Sequence, residues 1–130
     1  MRHQRLWVMA ALCLAAYCGP ACAAVTEDTF QIRSTGDLVD LCATSPSDPM
    51  GTAALNFCQG FGVGVYRVLE EINRDRKTPM FCMPNPMPTR NEALAGFVQW
   101  AKANPGQLGT PPQDGIAAFL ASQYPCAQKK

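Results

Sequence analysis

Beyond its first two dozen residues the chain has no histidine, the single one being His3, yet it keeps four cysteines: Cys42, Cys58, Cys82 and Cys126. A serine or cysteine nucleophile ordinarily needs a histidine base, so that chemistry has no partner here. Paired carboxylates are the other route to catalysis, and Glu70 and Glu71 adjoin, with Asp75 nearby. These acids are interleaved with Arg67, Arg74, Arg76 and Lys77. At helical spacing Arg67 pairs with Glu71 and Glu70 with Arg74, four residues apart. Such pairs contribute a few tenths of a kcal/mol each and describe a solvated helix end, or the charged rim of a protein-binding surface, before they describe an acid–base site. A zinc site is equally poorly served, because the four thiols include no C-x-x-C pair. No catalytic residue, metal ligand or cofactor is expected. The residues point to a stapled binding module.

The N-terminus explains where the thiols are oxidised. Arg2 and Arg5 precede an apolar run from Leu6 to Tyr17, and Ala21-Cys22-Ala23 supplies a small-residue cleavage pattern. The run is far shorter than the ~20 residues that span a bilayer as a helix. Residues 1–23 are therefore expected to be a signal peptide that is removed, leaving residues 24–130 as one helical domain. Lipid anchoring competes, since Cys18 and Cys22 stand near the right place, but Tyr17 before the one and Pro20-Ala21 before the other do not form a lipobox. The destination is an oxidising compartment, read as a bacterial periplasm. Loss of Arg2 and Arg5 turns a formal charge of +1 into about −1. That balance offers no basic surface for nucleic acid or an anionic membrane.

The elements that must position these residues are helices throughout. Ser34 and Asp37 form an acidic capping box before Leu38, Leu41 and Cys42, a short first helix. Asp48-Pro49 reads as a cap and first turn. One apolar stripe then runs through Ala54, Phe57, Cys58, Phe61, Val65, Val68, Leu69 and Ile72, ending near Asn73. Thr89 and Glu92 box a third helix with Leu94, Phe97, Val98 and Ala101 inward, stopped by Asn104-Pro105-Gly106. Thr110-Pro111-Pro112-Gln113 repeats the device before Ile116, Phe119 and Leu120. Thr26 to Arg33 is expected as an extended arm. The fold class is all-α: a small bundle of about four helices, the first one short, stapled by two disulfides.

Hairpin geometry favours pairing Cys42 with Cys58 and Cys82 with Cys126. Chain entropy gives roughly 3 and 4 kcal/mol for those loops, against roughly 4.6 and 3.5 for the nested alternative, Cys42 with Cys126 and Cys58 with Cys82. The difference is too small to choose, and both remain open. Gly60, Gly62 and Gly64 oppose helix propensity by about 1 kcal/mol each. They lack the dinucleotide spacing, so Gly60 and Gly64, one turn apart, are expected to admit a close-packed neighbouring helix. The segment Lys77–Pro88 holds four prolines, three methionines and Phe81. Phe81 and Met83 are expected to cap the bundle beside Cys82. Met80, Asn85 and Met87 are equally placed to meet a partner, because methionine adapts to irregular surfaces and proline lowers the entropy cost of fixing a loop.

Four cysteine-centred motifs then carry a family resemblance: Gly36-Asp37-Leu38-Val39-Asp40-Leu41-Cys42, Phe57-Cys58-Gln59-Gly60-Phe61 with Gly64-Val65, Phe81-Cys82-Met83-Pro84, and Tyr124-Pro125-Cys126. Their order resembles the Rap/Tai group, small periplasmic immunity proteins against type VI secretion amidase effectors. The resemblance implies an all-helical protein, often a homodimer, that binds a peptidoglycan-cleaving amidase and blocks its active site. The matching positions are scaffold residues, so contacts to such a partner do not carry over from it. The alternative, a periplasmic acid-stress chaperone, would favour acids that titrate together, whereas these acids are spread evenly among the bases.

Overall fold

The computed structural model describes residues 24–127 and assembles them from four helices: α1 (Thr35–Cys42), α2 (Gly51–Arg74), α3 (Arg90–Ala103) and α4 (Pro112–Gln123). No strand occurs among the described residues. The expected signal peptide, with His3, Cys13, Cys18 and Cys22, lies outside them. No described helix is long and apolar enough to cross a membrane.

Two helix starts form as their sequences dictate. The Ser34 hydroxyl accepts from the Asp37 amide at 3.1 Å, while the Asp37 carboxylate accepts from the Arg33 and Ser34 amides at 2.9 and 3.0 Å. Thr89 and Glu92 repeat the exchange at 3.3 and 2.7 Å. Both boxes satisfy amides that the first helical turn leaves without partners.

The other two starts differ from expectation. Asp48-Pro49 does not begin α2. Asp48 instead makes a turn, its carboxylate accepting from the Met50 amide at 2.8 Å and its carbonyl from the Gly51 amide at 2.8 Å. The helix begins only at Gly51, where a Cβ would collide with the Ser45 carbonyl. Thr110 likewise does not cap α4. Its hydroxyl donates to the Gln107 carbonyl at 2.7 Å, and Pro111 and Pro112 open the helix without a side-chain cap. The N-terminal arm is not extended throughout, since Glu27–Phe30 closes a 3-10 turn with Thr26 and Thr29 exchanging cap bonds.

The core is built around the shortest helix. α1 packs against α2, α3 and α4, and Thr35, Leu38, Val39 and Leu41 are all buried. Thr35 is fully buried, with its hydroxyl bonded to the Thr110 hydroxyl at 2.9 Å and to the Thr110 and Pro111 carbonyls at 3.1 Å each. The Thr35 amide donates to the Thr110 carbonyl at 2.7 Å and the Gly36 amide to the Leu108 carbonyl at 2.8 Å. The first turn of α1 is thus hydrogen-bonded into the segment entering α4. Gly115 sits directly against Thr35, and a Cβ there would fall on the threonine side chain. On the far side Phe119 gathers Phe97, Trp100 and Tyr124 with ring centroids 5.7, 5.9 and 6.1 Å away. Offset and edge contacts of this kind add to simple burial.

Two expectations about α2 fail together. The stripe is not uniformly inward: Ala54 and Cys58 are buried, but Val68 and Ile72 are 61% and 48% exposed. Gly60 and Gly64 do not seat a neighbouring helix, because no atom lies within 4 Å of the Cβ that either would carry. Gly60, Gly64, Val68 and Ile72, spaced four residues apart, lie along the exposed face of α2, opposite the side that packs on the core. The glycine pressed against a neighbouring helix is Gly115, set against Thr35 of α1.

Disulfides join Cys42 to Cys58, with Cα atoms 5.4 Å apart, and Cys82 to Cys126, at 4.8 Å. The hairpin pairing is adopted and the nested one is not. The first bridge ties the end of α1 to α2; the second fastens the loop before α3 to the residues after α4.

Candidate functional site

The charged end of α2 is the first region the sequence offers. Its ion pairs form three residues apart rather than four: Arg67 with Glu70 at 2.8 Å and Arg74 with Glu71 at 2.9 Å. The Tyr66 hydroxyl also donates to Glu70 at 3.0 Å, and the Arg67 guanidinium lies over the Tyr66 ring at 5.7 Å. Hydrogen bonds from Arg67, then from Tyr66, hold the Glu70 carboxyl below its ordinary range. Burial, followed by the bond to Glu70, pushes the Tyr66 hydroxyl up. A carboxylate held ionised in this way is a poor proton donor near neutrality. Arg76 turns back to the Thr78 carbonyl at 3.2 Å, and Lys77 is exposed.

Beyond α2 the proline-rich segment becomes a strap across the bundle, clamped by a residue that sequence reasoning passes over. Asn73 donates from its amide nitrogen to the Phe81 carbonyl at 2.8 Å and accepts from the Met80 amide at 2.6 Å. The Cys82 amide donates to the Tyr124 carbonyl at 2.8 Å beside the second disulfide. Phe81 is buried in the core, and Met80 and Met83 pack against it half-buried. Asn85 is exposed, and so is Met87 at 54%. The Asn85–Pro86 peptide bond is cis.

Between strap and bundle runs an open groove of about 220 Å³. α2 lines one wall with Gln59, Gly62, Val63, Tyr66 and Arg67; α3 lines the other with Arg90, Ala93, Leu94 and Phe97. Met83, Met87 and Pro88 close one side, and Ile116, Phe119 and Leu120 of α4 contribute further apolar lining. Gly62 is the glycine that matters here, because nothing lies within 4 Å of where its Cβ would be. Its missing side chain leaves the groove open.

Of the residues proposed from sequence for a partner surface, the groove brings together Arg67 and Met87. Glu70, Glu71, Arg74, Arg76, Lys77, Met80 and Asn85 do not line it. Sequence reasoning misses Arg90, Leu94 and Gly62. Gly62 has a signal, a glycine inside a helical stripe; Arg90 has none, standing as an ordinary first-turn residue after Thr89. Among the described residues no three histidine, cysteine or acidic side chains gather as a metal site.

A disulfide-stapled helical scaffold with an apolar groove and a charged rim defines a class, the small binding protein. The family model described as Rap1a immunity proteins matches residues 34–126, from the first capping box to the last cysteine, and the chain belongs to that family. Its function, at that level, is immunity against a secreted effector protein, and members are generally inhibitors by binding rather than catalysts. No curated protein and no solved structure matches the chain.

Proposed function

We propose that the chain is exported to the periplasm, loses residues 1–23, and there neutralises a peptidoglycan amidase delivered by type VI secretion. The cell that makes it is thereby protected from that toxin. The observation that carries this reading is the family match over residues 34–126, a span that takes in all four cysteine-centred motifs. Two disulfides fit the oxidising compartment where such an enzyme acts. The partner meets the side of the molecule where the end of α2 and the strap adjoin, with Arg67, Glu70, Glu71, Arg74, Arg76, Lys77, Met80, Asn85 and Met87 within reach. The working form is a homodimer.

The test uses protein purified from the periplasm of an expressing cell. Intact mass should equal residues 24–130 with two disulfides. Calorimetry against the amidase encoded beside it should give a nanomolar complex and loss of hydrolysis. An absence of heat with that enzyme would remove the amidase from the proposal.

A further inference from the structure

We infer that the groove between α2 and α3 is an anchor pocket for one large apolar side chain of the effector, aromatic by preference, flanked by a carboxylate that Arg90 receives. The inference deepens the proposed function and rests on it for the identity of the partner. Size sets the kind of occupant. Pockets for drug-sized ligands run to about 300–1,000 Å³, whereas a dry cavity of about 150 Å³ takes a benzene ring. At about 220 Å³ this groove suits one aromatic side chain. Such anchors dominate binding energy when they enter a desolvated pocket.

Charge sets its neighbour. The charged residues lining the groove are Arg67 and Arg90, and no carboxylate lines it. Arg67 is held by Glu70, while Arg90 makes no ion pair among the described residues. Glu92, the nearest acid along α3, is occupied by the Thr89 amide and hydroxyl, both at 2.7 Å. Arg90 is therefore the cation left to meet an incoming carboxylate, in a fork geometry that suits it. Met83 and Met87 on the strap side can adjust to the shape of the guest.

The probe is N-acetyl-tryptophan, compared with N-acetyl-tryptophanamide, read on protein labelled at the methionine methyls. The acid should shift Met83 and Met87 and leave Met50, outside the groove, unmoved. The amide should bind about threefold more weakly, and Arg90→Gln should abolish that difference. Gly62→Leu fills the groove from an open position and should weaken the acid about tenfold; Ala93→Leu does so from the facing helix. Uniform shifts, no shifts, or indifference to both fillers would overturn the inference. So would laurate shifting the same methyls where N-acetyl-tryptophan does not. With the adjacent amidase, Gly62→Leu should weaken the complex about 30-fold. If wild type binds that enzyme and Gly62→Leu binds it equally, the pocket is refuted and the immunity reading stands. If neither binds, the amidase is refuted, and the methionine shifts still judge the groove.

Discussion

The shortest helix and the longest behave in opposite ways. α1 has eight residues, four of them buried, and its first turn is hydrogen-bonded into the chain that enters α4. α2 has 24 residues but buries Gly51, Ala54 and Cys58 alone. Length therefore does not rank helices by their contribution to stability. An element in the middle of a bundle is surrounded even when short. One that runs along its side keeps a face free for other purposes, whatever its own apolar content. In this molecule the core is fastened at the α1–α4 junction, and α2 supplies surface.

Changes at the junction should therefore cost far more than changes along α2, and that contrast is open to experiment. The largest effect belongs to neither helix: replacing Cys82 and Cys126 together by alanine should lower stability by about 4 kcal/mol in urea, since the bridge spans 44 residues. Gly115→Ala comes next, at about 3 kcal/mol, because its Cβ meets a buried, hydrogen-bonded Thr35. Thr35→Val keeps the shape but leaves the Thr110 and Pro111 carbonyls without the hydroxyl, and should cost about 2 kcal/mol. On α2 the sign reverses. Gly60→Ala and Gly64→Ala each add a side chain in open space and should gain about 0.8 kcal/mol in thermal or urea unfolding. A loss at either glycine would show that its face is packed after all. Arg74→Ala, breaking an exposed pair, should move stability by less than about 0.5 kcal/mol.

A pH titration probes the two capping boxes, one of them at the start of α1. Backbone amides hold the Asp37 and Glu92 carboxyls below their ordinary values of 3.8 and 4.5. Groups with depressed folded values stabilise fully above the ordinary value and lose that contribution as the pH falls through the lower one. Acid unfolding should therefore steepen below those values, and Asp37→Asn should flatten that limb. Circular dichroism against pH reads the difference.

How much of this is legible in the sequence depends on whether a feature is local. Both capping boxes, the four helices and the hairpin preference of the cysteines follow from residues close to one another along the chain or from the order of the elements. The failures are partly tertiary and partly local turns that compete with a helix start. Asp48 looks like a cap until Gly51 is seen pressed against Ser45, and Thr110 looks like one until Thr35 is found beside it. A glycine that admits a neighbour and a glycine that faces solvent read alike in one dimension, so Gly60 and Gly64 look suited to the role that Gly115 performs. Spacing places Arg67 within reach of both Glu70 and Glu71, but it does not say that Tyr66 donates to Glu70 as well. The groove is the least legible feature, since its walls come from separate elements and its opening depends on a side chain that Gly62 lacks.

Asn73 grips the strap at Met80 and Phe81, and the bridge to Cys126 grips it one residue later. The exposed stretch from Pro84 to Met87 hangs from a root already secured, so that tip can be rewritten without disturbing the fold beneath. Grafting four residues from a relative there should leave the melting temperature in place, and under the proposed function this is where a short edit would change the effector recognised.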